Sequence, residues 1–120
     1  MTLHVLLIED EPNIAEAMRF ILSREGWRVS HLAQGTEVLE RVRADRPDLL
    51  ILDLMLPGMS GLEILAALRA DPETRALPVM MLTARGRDRE LAEQAGADRF
   101  ISKPFSNAEI VAEVRALVGR

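Results

Sequence analysis

Apolar positions along the chain fall into two kinds of run that alternate. Leu3-His4-Val5-Leu6-Leu7-Ile8 is short and has no helical period, the pattern of a strand buried on both faces of a parallel sheet. Glu11-Pro12 then opens a helix in which Ile14, Met18, Ile21 and Leu22 recur on one face, with Gly26 as its stop in the left-handed cap position. The alternation continues with a strand over Trp27 to Leu32 and a helix over Thr36 to Ala44 that turns Val38, Leu39 and Val42 inward. A third strand, Asp48 to Asp53, leads through a Pro57-Gly58 turn to a helix capped by Ser60 and Glu63, which ends near Ala70 before Asp71-Pro72. Val79 to Leu82 is the fourth strand, and Asp88 to Ala95 a helix that stops at Gly96. Arg99 to Ile101 is a short fifth strand. Ser106 and Glu109 cap a last helix with Ile110, Val114, Leu117 and Val118 on one face.

Five strand–helix units with no linker or repeat predict an α/β fold: a doubly wound, five-stranded parallel sheet with helices on both sides. With strand order 2-1-3-4-5, strands one and three are neighbours, and sites form at the carboxyl ends of the strands near this switch point. The chain has 120 residues, enough for one core, so residues 1–120 are expected to be a single domain with no effector domain.

Composition narrows the setting. With 48% hydrophobic and 28% charged residues the chain resembles globular proteins rather than disordered ones. It has no Cys, which excludes disulfides and thiolate metal sites and fits a cytoplasmic location. No apolar run is long enough to span a bilayer, so no membrane partner is expected. A formal net charge of −4 disfavours direct nucleic-acid binding.

Polar residues then gather where the strands end. Glu9-Asp10-Glu11 follows strand one, Asp53 ends strand three, Thr83-Ala84 follows strand four, and Lys103-Pro104 follows strand five. Taken singly, each has an ordinary reading: a helix start, a loop acid, a capping hydroxyl, a solvated lysine. Taken together at one rim, they offer clustered carboxylates that need a cation. Mg2+, a hard oxygen-seeking ion, suits them. The set also supplies a carboxylate nucleophile, a hydroxyl and a fixed positive charge, which suits phosphoryl transfer to form an aspartyl-phosphate.

Four motifs in order resemble the signatures of the response-regulator receiver domain of two-component signalling. They are Ile8-Glu9-Asp10-Glu11, Asp53 through Gly61, Leu82-Thr83-Ala84 and Lys103-Pro104-Phe105, and the likeness runs from about Leu3 to the C-terminus. The resemblance implies that Asp53 is the phosphoacceptor and that Asp10 ligates Mg2+ directly, with Glu9 acting through water and the Met55 backbone carbonyl completing the site. It implies that Thr83 turns toward the phosphoryl group, that Ala84 leaves room for it, and that Lys103 holds one of its oxygens. It further implies a cis Lys103–Pro104 bond and a switch aromatic at Phe100, which would fill the space that Thr83 vacates. The partners so implied are a histidine kinase or phosphotransfer protein and an unidentified downstream protein. The protein would be a monomer or weak dimer, and a phosphoacceptor with slow self-dephosphorylation rather than an enzyme.

The chain departs from the family pattern in three places. Phe100 stands where many members have Tyr, the stretch from Thr83 to Lys103 is about two residues short, and Asp98-Arg99 replaces a pair of acids. These affect the expected output face, helix four with strand five and helix five, rather than the acidic rim. Two other readings compete. One is a phosphorylation-independent interaction module on the same fold. The other is a Mg2+-dependent phosphatase or transferase, which usually carries a second acid where this chain has Met55. His4, His31, Trp27 and the methionines read as structural, Met59 and Phe105 as weak docking candidates, and Arg85, Arg87 and Arg89 as a solvated basic patch.

Overall fold

The computed structural model describes residues 2–83 and 88–118. In chain order these form β1 (His4–Ile8), α1 (Pro12–Arg24), β2 (Arg28–Leu32), a single 3-10 turn (Gly35–Glu37) running into α2 (Val38–Asp45), and β3 (Leu49–Asp53). There follow α3 (Gly61–Ala70), β4 (Val79–Thr83), α4 (Arg89–Gln94), β5 (Arg99–Ser102) and α5 (Asn107–Val118). The strands make one parallel sheet, as the alternation predicts, and their order is the expected β2-β1-β3-β4-β5.

Two-sided burial explains the continuous apolar strands. Neighbouring residues of one strand serve different layers, because side chains alternate across the sheet. Val5, Leu7, Leu49, Ile51, Met80 and Leu82 pack against α1 and α5, through Met18, Leu22, Ile110 and Val114. Leu6, Ile8, Leu50, Leu52, Val79 and Met81 face the other way, against Val38 and Val42 of α2, Ile64, Leu65 and Leu68 of α3, and Ala92 of α4.

Most element boundaries fall within a residue or two of the expected ones. The second helix opens differently. Gly35 is buried, and a Cβ there would lie 2.7 Å from the Met59 carbonyl oxygen, so the chain tightens into a 3-10 turn before α2 starts at Val38. Ser106 and Glu109 form a reciprocal capping box: the Glu109 amide donates to Ser106 Oγ and the Ser106 amide to Glu109 Oε1, both at 3.1 Å. At α3 the Glu63 amide donates to Ser60 Oγ at 3.2 Å.

α4 is short, with 6 residues. Its C-terminal end is tied down by Arg69, near the end of α3. The Arg69 guanidinium donates to the Gly96 carbonyl at 3.0 Å, to Asp98 Oδ2 at 2.9 Å, and to the Arg75 and Leu77 carbonyls at 2.9 and 2.7 Å. Asp98 Oδ2 also accepts from the Val79 amide at 2.9 Å. Asp98 thus joins the α4–β5 loop to the start of β4, while Arg99 reaches across to Glu113 of α5 at 3.7 Å.

Candidate functional site

The register of the sheet determines which polar residues meet. Ile8 pairs with Leu52, Asp53 with Leu82, and Thr83 with Ser102, so the strands end nearly level and the residues after them share one rim. Gly61 lets that rim close. A Cβ at Gly61 would collide with the Asp53 carbonyl oxygen and lie 2.9 Å from Leu54 Cα, so α3 starts tight against the end of β3.

Asp53 is buried and held at both carboxylate oxygens. Lys103 Nζ donates to Oδ2 at 2.7 Å, and the Met55 amide donates to Oδ1 at 3.0 Å. Lys103 also reaches Glu9, at 3.1 Å from Oε2 and 3.3 Å from Oε1. Glu9 is fully buried and its Oε1 accepts from the Glu11 amide at 3.2 Å, while Asp10 is exposed. Met55 has its side chain largely in solvent. The Lys103–Pro104 peptide bond is cis, immediately beside the ammonium-bearing residue.

One lysine between two carboxylates leaves the site short of positive charge. Burial pushes the Glu9 carboxyl up to about 7, helped by its hydrogen bond to Asp53 and the Asp53 charge, against the opposing pull of Lys103. Burial alone would lower Lys103, but its hydrogen bonds to Asp53 and Glu9 and their charges outweigh that and raise it. A carboxylate oxygen from each of Glu9, Asp10 and Asp53 lies within 4.8 Å of the others. This all-oxygen donor set fits a hard divalent cation such as Mg2+.

Thr83 and Phe100 sit deeper. Thr83 is fully buried, and its hydroxyl donates to Asp88 Oδ2 at 3.3 Å. Phe100 is buried in the layer formed with α2, α3 and α4, and the Arg89 guanidinium lies 5.4 Å from its ring centre. The expected filling by Phe100 of space vacated by Thr83 thus meets a ring already packed inward. Without a hydroxyl the ring has no polar tip to keep it at the surface. Arg89, read from the sequence as part of a solvated patch, is exposed and also lies over that ring. Ala84, Arg85 and Arg87 lie outside the described residues.

Two further residues contribute. Asp88 reads as an ordinary helix start, and its burial as the acceptor for Thr83 depends on how the chain returns after β4. His31 gives no motif signal, yet its Nε2 donates to the Glu9 carbonyl at 2.7 Å and steadies the backbone at the acidic rim. His4 is a buried structural residue, between Ser30 Oγ at 2.8 Å from Nε2 and Arg28 at 3.1 Å from Nδ1. Met59 and Phe105 are half-buried against the two core layers.

The family profile described as response regulator receiver domain matches residues 5–115. The chain belongs to that family. It is 43% identical over 118 residues to the phosphate regulon transcriptional regulatory protein PhoB of Rhizobium meliloti, covering 97% of this chain and 52% of that protein. It is 41% identical over 122 residues to the DNA-binding response regulator MtrA of Mycolicibacterium smegmatis, covering 100% of this chain and 52% of that protein. This receiver domain therefore spans about half the length of the curated relatives it matches. Among solved structures, the receiver domain of the sensor histidine kinase PA1611 of Pseudomonas aeruginosa superposes with a TM-score of 0.91 at 30% identity, covering 100% of both chains. That structure holds a magnesium ion coordinated in its active site cleft. Membership makes this chain a signalling domain of the two-component type, and no helix among the described residues is long and apolar enough to cross a membrane.

Proposed function

We propose that Asp53 accepts a phosphoryl group from the phosphohistidine of a histidine kinase or phosphotransfer protein. The observation that carries this reading is the placement of Lys103 Nζ, 2.7 Å from Asp53 Oδ2 and 3.1 Å from Glu9 Oε2, on two of three clustered carboxylates. An Asp53 carboxylate oxygen attacks phosphorus, the bond to the donor's histidine nitrogen breaks, and that nitrogen keeps the electron pair. Lys103, already on Asp53, stays on the oxygens as a point charge. Glu9, Asp10, Asp53 and the Met55 carbonyl would hold Mg2+, which when bound offsets the charge of the phosphoryl oxygens.

Phosphorylation adds charge and acceptor oxygens at Asp53 and shifts the population toward a second arrangement of α4, β5 and α5, the face that controls a downstream partner. The longer relatives are named as transcriptional and DNA-binding regulators. For a chain with net charge −4, DNA contact would belong to another segment or another protein, and this domain would control it through that face.

The test is labelling by an acyl phosphate with Mg2+. One phosphoryl group should enter the wild-type chain and none the Asp53→Asn variant. Undiminished labelling of Asp53→Asn would overturn the assignment. An unlabelled wild type would favour the phosphorylation-independent module, and many turnovers on simple phosphate esters would favour the phosphatase.

A further inference from the structure

The two residues where α4 begins touch both switch positions. Asp88 Oδ2 accepts from the Thr83 hydroxyl, and Arg89 lies over the Phe100 ring. Asp88 is buried, and a buried carboxylate is stable only where donors compensate it. The Thr83 hydroxyl is one such donor. α4 itself is weakly embedded: it buries Ala92 and leaves Leu91 about half exposed. At its other end, the Arg69 bonds to Gly96 and Asp98 hold the chain with charge-assisted contacts. α4 is therefore built to swing about its anchored C-terminal end, so that its N-terminal end is the one that moves.

A hydroxyl has one proton to give. Thr83 can donate to Asp88 or to a phosphoryl oxygen on Asp53, and the first choice opposes the second. We propose that Asp88 is a positioning residue that holds the Thr83 hydroxyl in the unphosphorylated arrangement, so that phosphorylation of Asp53 must draw this hydroxyl off Asp88 and thereby release the start of α4. The inference rests on the reading of Asp53 as phosphoacceptor. Arg89 carries the release to Phe100, because residues 88 and 89 move as one backbone unit.

Competition gives the sign. The Thr83–Asp88 bond stabilises the unphosphorylated state, so removing the acceptor favours the phosphorylated one. Asp88→Ala is expected to raise the rate of Asp53 labelling by an acyl phosphate roughly three- to tenfold, the equilibrium worth of one ordinary hydrogen bond. Asp88→Asn keeps an acceptor oxygen and should stay within about twofold of wild type. In a Thr83→Val background, where no hydroxyl remains to be held, Asp88→Ala should change labelling by less than about twofold. Should Asp88→Ala fail to fold, Asp88→Leu fills the volume without an acceptor and carries the same expectation. A labelled wild type with Asp88→Ala and Asp88→Leu both unchanged overturns this inference alone. So does a gain that persists undiminished with Thr83→Val, since the effect would then be the bare charge of Asp88. A wild type that takes no phosphoryl group overturns the proposed function and this inference with it.

Discussion

Lys103 Nζ sits 2.7 Å from Asp53 Oδ2, although the two residues are 50 apart in the chain. The same ammonium serves Glu9, so one cation balances two buried carboxylates. Removing it leaves both without their countercharge, with backbone amides of Met55 and Glu11 still donating to them. Lys103→Met is expected to destabilise the metal-free protein by about 2–3 kcal/mol, somewhat below the cost of breaking a fully buried pair because the lysine retains some solvent contact. In a domain of this size that corresponds to roughly 10 °C in Tm. Asp53→Asn should act in the opposite sense, because it leaves one lysine facing one buried carboxylate. Thermal melts in chelator check both, and a Lys103→Met protein that melts at or above wild type would remove the electrostatic account of the rim.

The raised Glu9 carboxyl gives a pH dependence. Its value in the fold, about 7, lies above its ordinary value of 4.5, so between these limits the folded state holds a proton that the unfolded state has lost. The resulting stabilisation is fully present below about pH 4.5 and is lost as pH rises through about 7. In chelator, urea midpoints of wild type should therefore fall over that interval relative to those of Glu9→Gln, whose amide does not titrate. Parallel profiles for the two proteins would show that Glu9 titrates alike in both states.

Arg69 separates stability from chemistry. Its guanidinium satisfies three carbonyls and Asp98 at the end of the sheet opposite the acidic rim. Arg69→Met should cost about 2–4 kcal/mol, since several acceptors lose a charged donor together. Arg69→Lys should recover little, because a point charge cannot span the same fork of acceptors. Labelling of Asp53 well below the melting temperature should change by less than about twofold. A large loss of labelling in a folded Arg69→Met protein would place this anchor within the chemistry.

The unbroken apolar strands, the helical repeats between them and the two serine caps were legible in the sequence, because each is a local matter of period and capping. The acidic rim was legible in outline for a related reason. Each of its members directly follows a strand, and in a parallel sheet strand ends must meet at one edge. The sequence by itself therefore determined the order of the elements and the identities of Glu9, Asp10, Asp53, Thr83 and Lys103 as candidates. Only the tertiary structure decided which of them touch. That Lys103 bridges Asp53 and Glu9, that Thr83 points to Asp88, that Phe100 is already buried under Arg89, and that Arg69 anchors α4 all depend on how segments distant in sequence pack. Hydrogen bonds and burial of this kind carry no local period, so no pattern along the chain encodes them.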